Sequence, residues 1–141
     1  MLKHIHLIVA VEVKYPPKSA EEVEAFQTLL IKRVDMAVAK SETLLKNPQA
    51  YYCPIDGNEG VTGVGILETS HTALHVWDSE FPAKFQFDLY SCKDFEVERV
   101  MNLINSFDII RGTYMLIDRD TDLKVIEEGT VSEGGKLTKK Q

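Results

Sequence analysis

The chain has 141 residues, a formal net charge of -6 and a hydrophobic fraction of 44%, which is typical of one globular domain and excludes a disordered or fibrous class. The acidic balance argues against a nucleic-acid partner, because phosphate binding requires clustered Lys and Arg. Cys53 and Cys92 are the only cysteines. A domain of this size needs no disulfide, so a cytoplasmic protein with free thiols is expected. The apolar segment Ile5–Val11 is too short to span a membrane, and no membrane partner is expected.

The first elements are predicted from hydrophobic periodicity. Apolar residues at every second position from Ile5 to Val13 predict a strand with one buried face. Ser19 and Glu22 form a capping-box pattern, and apolar residues at steps of three and four then predict a helix that ends at Asn47 and Pro48.

The remainder of the chain is predicted to be mainly β. Strands are expected at Tyr51–Cys53, Gly63–Thr69, Ala73–Trp77, Phe85–Cys92, Thr113–Ile117 and Leu123–Ile126. A second helix carries a broad apolar stripe between Phe95 and Phe107. The two strands around Ser70 and His71 are joined tightly, which indicates a hairpin or sharp corner with Ser70 at its tip.

These elements predict an α+β fold, a two-layer sandwich with a mainly antiparallel sheet and helices on one face. Residues 1–128 are expected to form this single domain, and residues 129–141 a flexible polar tail. Gln86, Asp88, Tyr90 and Cys92 alternate with apolar residues, so a partner chain or a ligand is expected to cover the second face of the sheet.

One block of sequence points to a family. It is Gly60-Val-Thr-Gly-Val-Gly-Ile-Leu-Glu-Thr-Ser-His-Thr-Ala-Leu-His-Val-Trp77, followed by Phe87-Asp-Leu-Tyr-Ser-Cys92. It resembles the prokaryotic S-adenosylmethionine decarboxylase proenzymes, which have a G-V-S-G strand, an E-S-H processing site, an H-T-W run and a cysteine that closes the next strand. The resemblance covers roughly residues 60 to 104 and implies an S-adenosylmethionine decarboxylase-like fold.

The resemblance also implies an activity, the decarboxylation of S-adenosylmethionine for polyamine (spermidine) biosynthesis. In this family the chain cuts itself before the serine, here between Thr69 and Ser70, and the serine becomes a pyruvoyl cofactor. Ser70 Oγ would attack the Thr69 carbonyl to form an ester, and β-elimination and hydrolysis would then leave the pyruvoyl group. Its ketone forms a Schiff base with the substrate amine and accepts the electrons released with carbon dioxide.

The resemblance also implies a role for each residue of this chain that matches a functional residue of the family. Thr62 stands in place of the family serine that supports the ester, and its hydroxyl can donate the same hydrogen bond. His75 matches the histidine that removes the serine α-proton, and Cys92 the cysteine that protonates the decarboxylated carbon. Trp77 matches a tryptophan near the adenosine site, and Glu80 corresponds to the carboxylate that holds the ribose.

Two tyrosines adjoin this block. Tyr51 and Tyr52 either stack on the adenine or pack at the core or rim, and Tyr52 is assigned to substrate binding.

The spacing of Ser70 and His75 has a geometric consequence. Five residues of straight strand span roughly 16 Å, so the two side chains do not meet within one strand. Either the chain bends back after Ser70, or His75 comes from a second copy. The resemblance implies the second arrangement, a homodimer in which Thr62 and His75 of one chain serve Ser70 and Cys92 of the other.

No metal is predicted. His4 and His6 lie two apart on one strand and form at most half of a metal site, because the sequence places no third ligand beside them.

Two departures from the family pattern keep alternatives open. Thr69 stands where the family has glutamate, and Glu68 lies one position earlier; an unprocessed, non-enzymatic binding or regulatory protein is therefore one alternative. The segment Asp78–Ala83, which borders the ligand site in the family, is longer here than in the family. The second alternative is therefore a related decarboxylase that acts on arginine or ornithine.

Overall fold

Alternation in the first strand produces two faces: Leu7 and Val9 are buried, whereas Ile8 and Ala10 are exposed. A computed structural model, which describes residues 2–141, places this strand, β1 (Ile5–Val13), inside an eight-stranded antiparallel sheet. The other strands are β2 (Gln49–Cys53), β3 (Gly60–Leu67), β4 (Ser70–Trp77), β5 (Ala83–Ser91), β6 (Ile109–Asp118), β7 (Lys124–Ser132) and β8 (Lys136–Lys139). Their order across the sheet is β2-β3-β4-β5-β1-β6-β7-β8.

Both helices pack on one face of this sheet. They are α1 (Ala20–Arg33) and α2 (Val97–Ile104), and a short 3-10 helix, Asn105–Phe107, continues α2. The rings of Phe26 in α1 and Phe107 lie 6.1 Å and 5.5 Å from the ring of Phe85 in β5, which joins helices and sheet in one core. The predicted α+β two-layer sandwich is confirmed.

Helix α1 lies close to β3 because Gly63 has no side chain. A Cβ built at Gly63 would lie 2.4 Å from Val23 Cγ1 and 2.7 Å from Gln27 Oε1. Gly63 therefore allows the helix to pack closely on the sheet.

No helix in residues 2–141 combines the length and the apolar composition that crossing a bilayer requires.

The second face of the sheet carries no helix within residues 2–141; we call it the open face. It presents alternate residues of each strand, among them Ile8, Val64 and Ile66, which are 40%, 42% and 43% exposed. Gln86, Asp88 and Tyr90 lie on this face, as predicted, opposite the buried Phe85, Phe87 and Leu89.

The predicted extent of α1 was wrong. The helix ends at Arg33 and not near Asn47, because Asp35 adopts φ 55°, a left-handed conformation that a helix cannot continue. The chain beyond it runs beside β3 instead: the Ala39 amide donates to the Ile66 carbonyl, at 3.0 Å. Apolar residues at helical spacing after Arg33 pack against the sheet without forming a helix.

The β3–β4 hairpin is confirmed, but its tip is not at Ser70. Leu67 pairs with Ser70, so the turn consists of Glu68 and Thr69. Ser70 is the first residue of β4, and it is buried, with 8% of its surface exposed.

The predicted flexible tail at residues 129–141 was also wrong. Strand β7 continues to Ser132, and β8 pairs with it, with Val131 opposite Leu137. Val131 is 2% exposed, and Gly135 approaches Asn105 just after α2. The segment is polar because most of its side chains face solvent at the sheet edge, whereas its backbone is held by strand pairing.

Candidate active site

Ser70 and Cys92 meet at one end of two neighbouring strands. Ser70 begins β4, and Cys92 directly follows the last residue of β5. The Cys92 amide donates a hydrogen bond to Ser70 Oγ at 3.0 Å. The predicted cofactor precursor and the predicted proton donor are therefore brought together within one chain.

The Cys92 thiol lies against the turn that precedes Ser70. Cys92 Sγ is 3.7 Å from the Glu68 carbonyl oxygen, to which it can donate. Hydrogen bonds with Ser70, and then with Thr69, lower the pKa of the Cys92 thiol below its ordinary value, against the opposing effect of burial. The thiol therefore releases its proton more readily than an ordinary cysteine does.

Thr69 is strained. Its φ is 51°, in the left-handed region that a β-branched residue rarely adopts, and its hydroxyl donates to the Glu68 carbonyl at 2.8 Å. Such a conformation costs on the order of 1–3 kcal/mol. The strain lies on the residue whose carbonyl Ser70 Oγ would attack.

Thr62 and His75 form a second pair, on the open face. They stand directly opposite each other in the β3–β4 register, and Thr62 Oγ1 is 3.0 Å from His75 Nδ1. The His75 ring lies 6.0 Å from the ring of Trp77, two residues further along β4. If the His75 Nδ1–H donates to Thr62, Nε2 keeps its lone pair and faces outward as a base.

The two pairs do not meet within one chain. Strand β4 is continuous from Ser70 to Trp77 and is paired with β3 along its whole length without a bulge. His75 is therefore roughly 16 Å along the strand from Ser70. Of the two arrangements considered from the sequence, a chain that bends back after Ser70 is excluded.

The predicted substrate-binding residues lie at the far end of β4. Trp77 Nε1 donates to Asn58 Oδ1 at 2.9 Å, which fixes the indole against the β2–β3 loop. Glu80 lies in the exposed loop between β4 and β5, beside a cleft of about 560 Å³. Asn58 was missed from the sequence, where it reads as an ordinary turn residue.

Tyr52 stands apart from this group. It pairs with the buried Val61, on the helix-bearing side of the sheet, whereas Tyr51 pairs with Thr62 and shares the open face. Burial, followed by the charges of Asp78 and Glu59, raises the pKa of Tyr52, so carboxylates gather near this end of the sheet.

A third cluster on the open face was missed from the sequence. His6 Nε2 and His71 Nε2 each lie 3.3 Å from Asp88 Oδ1, and His6 Nδ1 is 3.1 Å from the Arg119 guanidinium. Burial alone would raise the pKa of Asp88, but the close approach of His6 and then of His71, whose rings attract the carboxylate when protonated, lowers it on balance. In the sequence, the alternation of the two strands places only His6 and Asp88 of this cluster on polar strand faces, and nothing there brings them together.

His4 is not part of that cluster. Its Nδ1 is 3.1 Å from the Tyr90 hydroxyl, and its Nε2 is 3.7 Å from Asp120. The sequence suggested His4 and His6 as the two histidines of a half metal site. In the structure His6 instead lies beside His71.

No curated protein matches the chain. A family model described as S-adenosylmethionine decarboxylase matches residues 9–120, which include the Ser70–Cys92 and Thr62–His75 pairs and all of the third cluster except His6. Over most of its length, therefore, the chain belongs to the S-adenosylmethionine decarboxylase family.

Proposed function

We propose that the chain is a cytoplasmic, pyruvoyl-dependent decarboxylase of S-adenosylmethionine that cuts itself between Thr69 and Ser70. The observation that carries the proposal is the arrangement at the start of β4, where Ser70 follows a strained Thr69 and its Oγ is held by the Cys92 amide. The match to the family supports the same activity.

Self-cleavage requires Ser70 Oγ to reach the Thr69 carbonyl carbon. Because Ser70 Oγ accepts from the Cys92 amide, its own hydrogen is free to leave as the oxygen attacks. The C–O bond forms, the C–N bond of the peptide breaks, and the Ser70 nitrogen takes up a proton. Left-handed strain at Thr69 raises the energy of the uncut chain and so favours the ester.

His75 then removes the Ser70 α-proton, and β-elimination expels the Thr69 carboxylate. Hydrolysis of the resulting enamine releases ammonia and leaves a pyruvoyl group on the fragment that begins at position 70. When His75 Nδ1–H donates to the Thr62 hydroxyl, that hydroxyl can donate its own hydrogen to the ester oxygen.

We propose that His75 and Thr62 come from a second copy of the chain. The continuous β4 places them too far from their own Ser70. The partly exposed Ile8, Val64 and Ile66 on the open face supply an apolar surface on which a second sheet can pack. The proposed protein is therefore a homodimer whose two active sites are each built from both chains.

In the mature enzyme the pyruvoyl group supplies the ketone and the electron sink for decarboxylation. The Cys92 thiol, with its lowered pKa, is proposed to return the proton to the substrate carbon. Trp77, held by Asn58, provides a flat surface for an adenine, while Glu80 binds the ribose and Tyr52 contacts the substrate from the rim.

A second substrate class, arginine or ornithine, is compatible with one feature of the site. Asp78, Glu59 and Glu80 place carboxylates near the Trp77 end of the sheet. Carboxylates at this end attract a cationic group. Arginine has a guanidinium, ornithine an ammonium and S-adenosylmethionine a sulfonium, so each of the three carries such a group. Release of labelled carbon dioxide from each of the three compounds distinguishes them.

Intact-mass measurement of the purified protein tests the proposal. We expect two fragments of 69 and 72 residues, the second beginning with pyruvoyl in place of Ser70. Ser70→Ala is expected to stay whole, whereas Ser79→Ala, which alters an exposed loop serine, is expected to be cut normally. A folded, unaltered chain that remains whole would contradict the proposal and favour a binding or regulatory role.

A further inference from the structure

Three side chains from separate strands converge on one point of the open face. His6 in β1 and His71 in β4 both stand opposite Tyr90 of β5, and Asp88 lies two residues before Tyr90. The two imidazole Nε2 atoms and one Asp88 carboxylate oxygen all lie within 4.8 Å of one another. We propose that His6, His71 and Asp88 form a binding site for a divalent transition-metal ion, with Zn²⁺ as the best fit.

Two of the three distances between ligand atoms match those within a coordination sphere, and the third, between the two Nε2 atoms, is no more than 4.8 Å. Zinc bonds of about 2.0–2.1 Å to nitrogen and oxygen place neighbouring ligand atoms of a tetrahedron roughly 3.3–3.4 Å apart. Both Nε2 atoms lie 3.3 Å from Asp88 Oδ1. Two imidazoles and one carboxylate are also the donor set that favours zinc or iron over magnesium or calcium.

Two of the ligand atoms of the proposed metal site lack hydrogen-bond partners in the described part of the chain. Within residues 2–141, His6 Nε2 and Asp88 Oδ1 are buried atoms that make no hydrogen bond of acceptable geometry, although they approach to an ion-pair distance. A metal ion would satisfy both at once.

Three protein ligands leave one tetrahedral position unfilled. The His71 side chain is 42% exposed in the single chain, so the site opens onto the part of the open face that a second sheet would cover in the proposed dimer. A water molecule or a small ligand can therefore occupy the fourth position.

Arg119 competes with the ion. Its guanidinium can only donate, so at 3.1 Å it uses the lone pair of His6 Nδ1 and holds the neutral ring in the form that carries hydrogen on Nε2. Metal binding at Nε2 requires the opposite tautomer, so Arg119 must swing away. Arg119 lies at the surface over the Tyr90 ring, 4.4 Å from its centroid, and can move without disturbing the core.

The site adjoins the proposed cleavage point but does not depend on it. His71 directly follows Ser70, so a bound ion would anchor the first residues of β4. The test therefore uses a Ser70→Ala chain, in which no cleavage is proposed. Cys53 and Cys92 are replaced by serine in the same chain, because thiols also bind zinc.

Calorimetric titration of this chain with ZnCl₂ is expected to show saturable binding of one ion per chain, and Co²⁺ is expected to give the visible absorption of four-coordinate cobalt. His71→Ala is expected to weaken binding by about 100-fold or more, because loss of even an outer-shell partner costs roughly 10–100-fold. His75→Ala, which removes another exposed histidine of β4, is the matched control and is expected to bind normally. Arg119→Ala is expected to tighten binding.

Two results would overturn the proposal. One is a folded Ser70→Ala chain, with both cysteines replaced, that binds neither Zn²⁺ nor Co²⁺ in a saturable way. The other is equal affinity in the His71→Ala and His75→Ala chains. Because His71 is partly exposed, its replacement is expected to leave the fold intact, which thermal unfolding of the metal-free chain checks.

Discussion

The Cys92 amide donates a 3.0 Å hydrogen bond to Ser70 Oγ and ties the end of β5 to the first residue of β4. The same serine is the largest cause of the lowered pKa of the Cys92 thiol. Removing one hydroxyl is therefore expected to change the chemistry of a residue 22 positions away in the sequence.

The pH dependence of Cys92 alkylation tests this coupling. In a His75→Ala chain, which is expected to stay uncut, the alkylation rate is expected to rise with a midpoint below the ordinary pKa of a cysteine thiol. Adding Ser70→Ala removes the hydrogen bonding that favours the thiolate, so the midpoint is expected to move up. The rate is measured by mass spectrometry against pH, and Cys53 serves as an internal standard for the reagent. An unchanged midpoint would contradict the coupling.

Mixing two inactive chains tests whether the active sites are shared. Ser70→Ala and His75→Ala chains are each expected to remain uncut alone. Co-expressed in equal amounts, they are expected to form heterodimers in which the Ser70 of one chain meets the His75 of the other. About half of the His75→Ala chains would then be cut, because random pairing places half of them in heterodimers. Cleavage is measured by intact mass. If the site were formed within one chain, neither variant would be cut.

Thr69→Asn tests the strain before the cleavage point. Asparagine tolerates left-handed backbone better than a β-branched residue, so the free energy of unfolding is expected to increase by about 0.5–1 kcal/mol. Urea unfolding of the His75→Ala chain with and without the substitution measures this. Relief of strain in the uncut chain is also expected to slow cleavage when His75 is present. Glu68→Asn, at the other turn position, is the control and is expected to change stability by less than about 0.5 kcal/mol. A Thr69→Asn chain of unchanged or reduced stability would argue against strain.

Gly63→Ala tests the close approach of α1 to the sheet. The added Cβ would lie 2.4 Å from Val23 Cγ1 and 2.7 Å from Gln27 Oε1, so one side chain or the helix must shift. We expect a loss of about 1–3 kcal/mol in the free energy of unfolding. Gly65→Ala, whose Cβ would meet its nearest neighbours at 3.2 Å and 3.3 Å, is expected to cost less. Equal losses of unfolding free energy in the two variants would show that α1 does not approach β3 more closely at Gly63 than at Gly65.

Local sequence was sufficient for most of the strands and for the family. Alternation in β1 and β5 predicted both buried faces, because side-chain direction in a strand has period two and needs no knowledge of the partner strand. The run from Gly60 to Trp77 identified the family, and the family model extends this identification to residues 9–120. The spacing of Ser70 and His75 predicted that they do not meet in one straight strand, and the continuous β4 agrees.

The features that the sequence did not predict depend on backbone pairing between residues far apart in the chain. Residues 34–47 carry apolar side chains that suit a helix, but backbone bonds to β3 hold them extended or in turns. The polar residues 136–139 form a strand because β7 offers its free edge, which local composition does not report. The convergence of His6, His71 and Asp88 depends on the order β4-β5-β1 in the sheet. Sequence determined which face each side chain occupies; only the tertiary structure decided which strands lie side by side, because strand order arises from contacts between residues far apart in the chain.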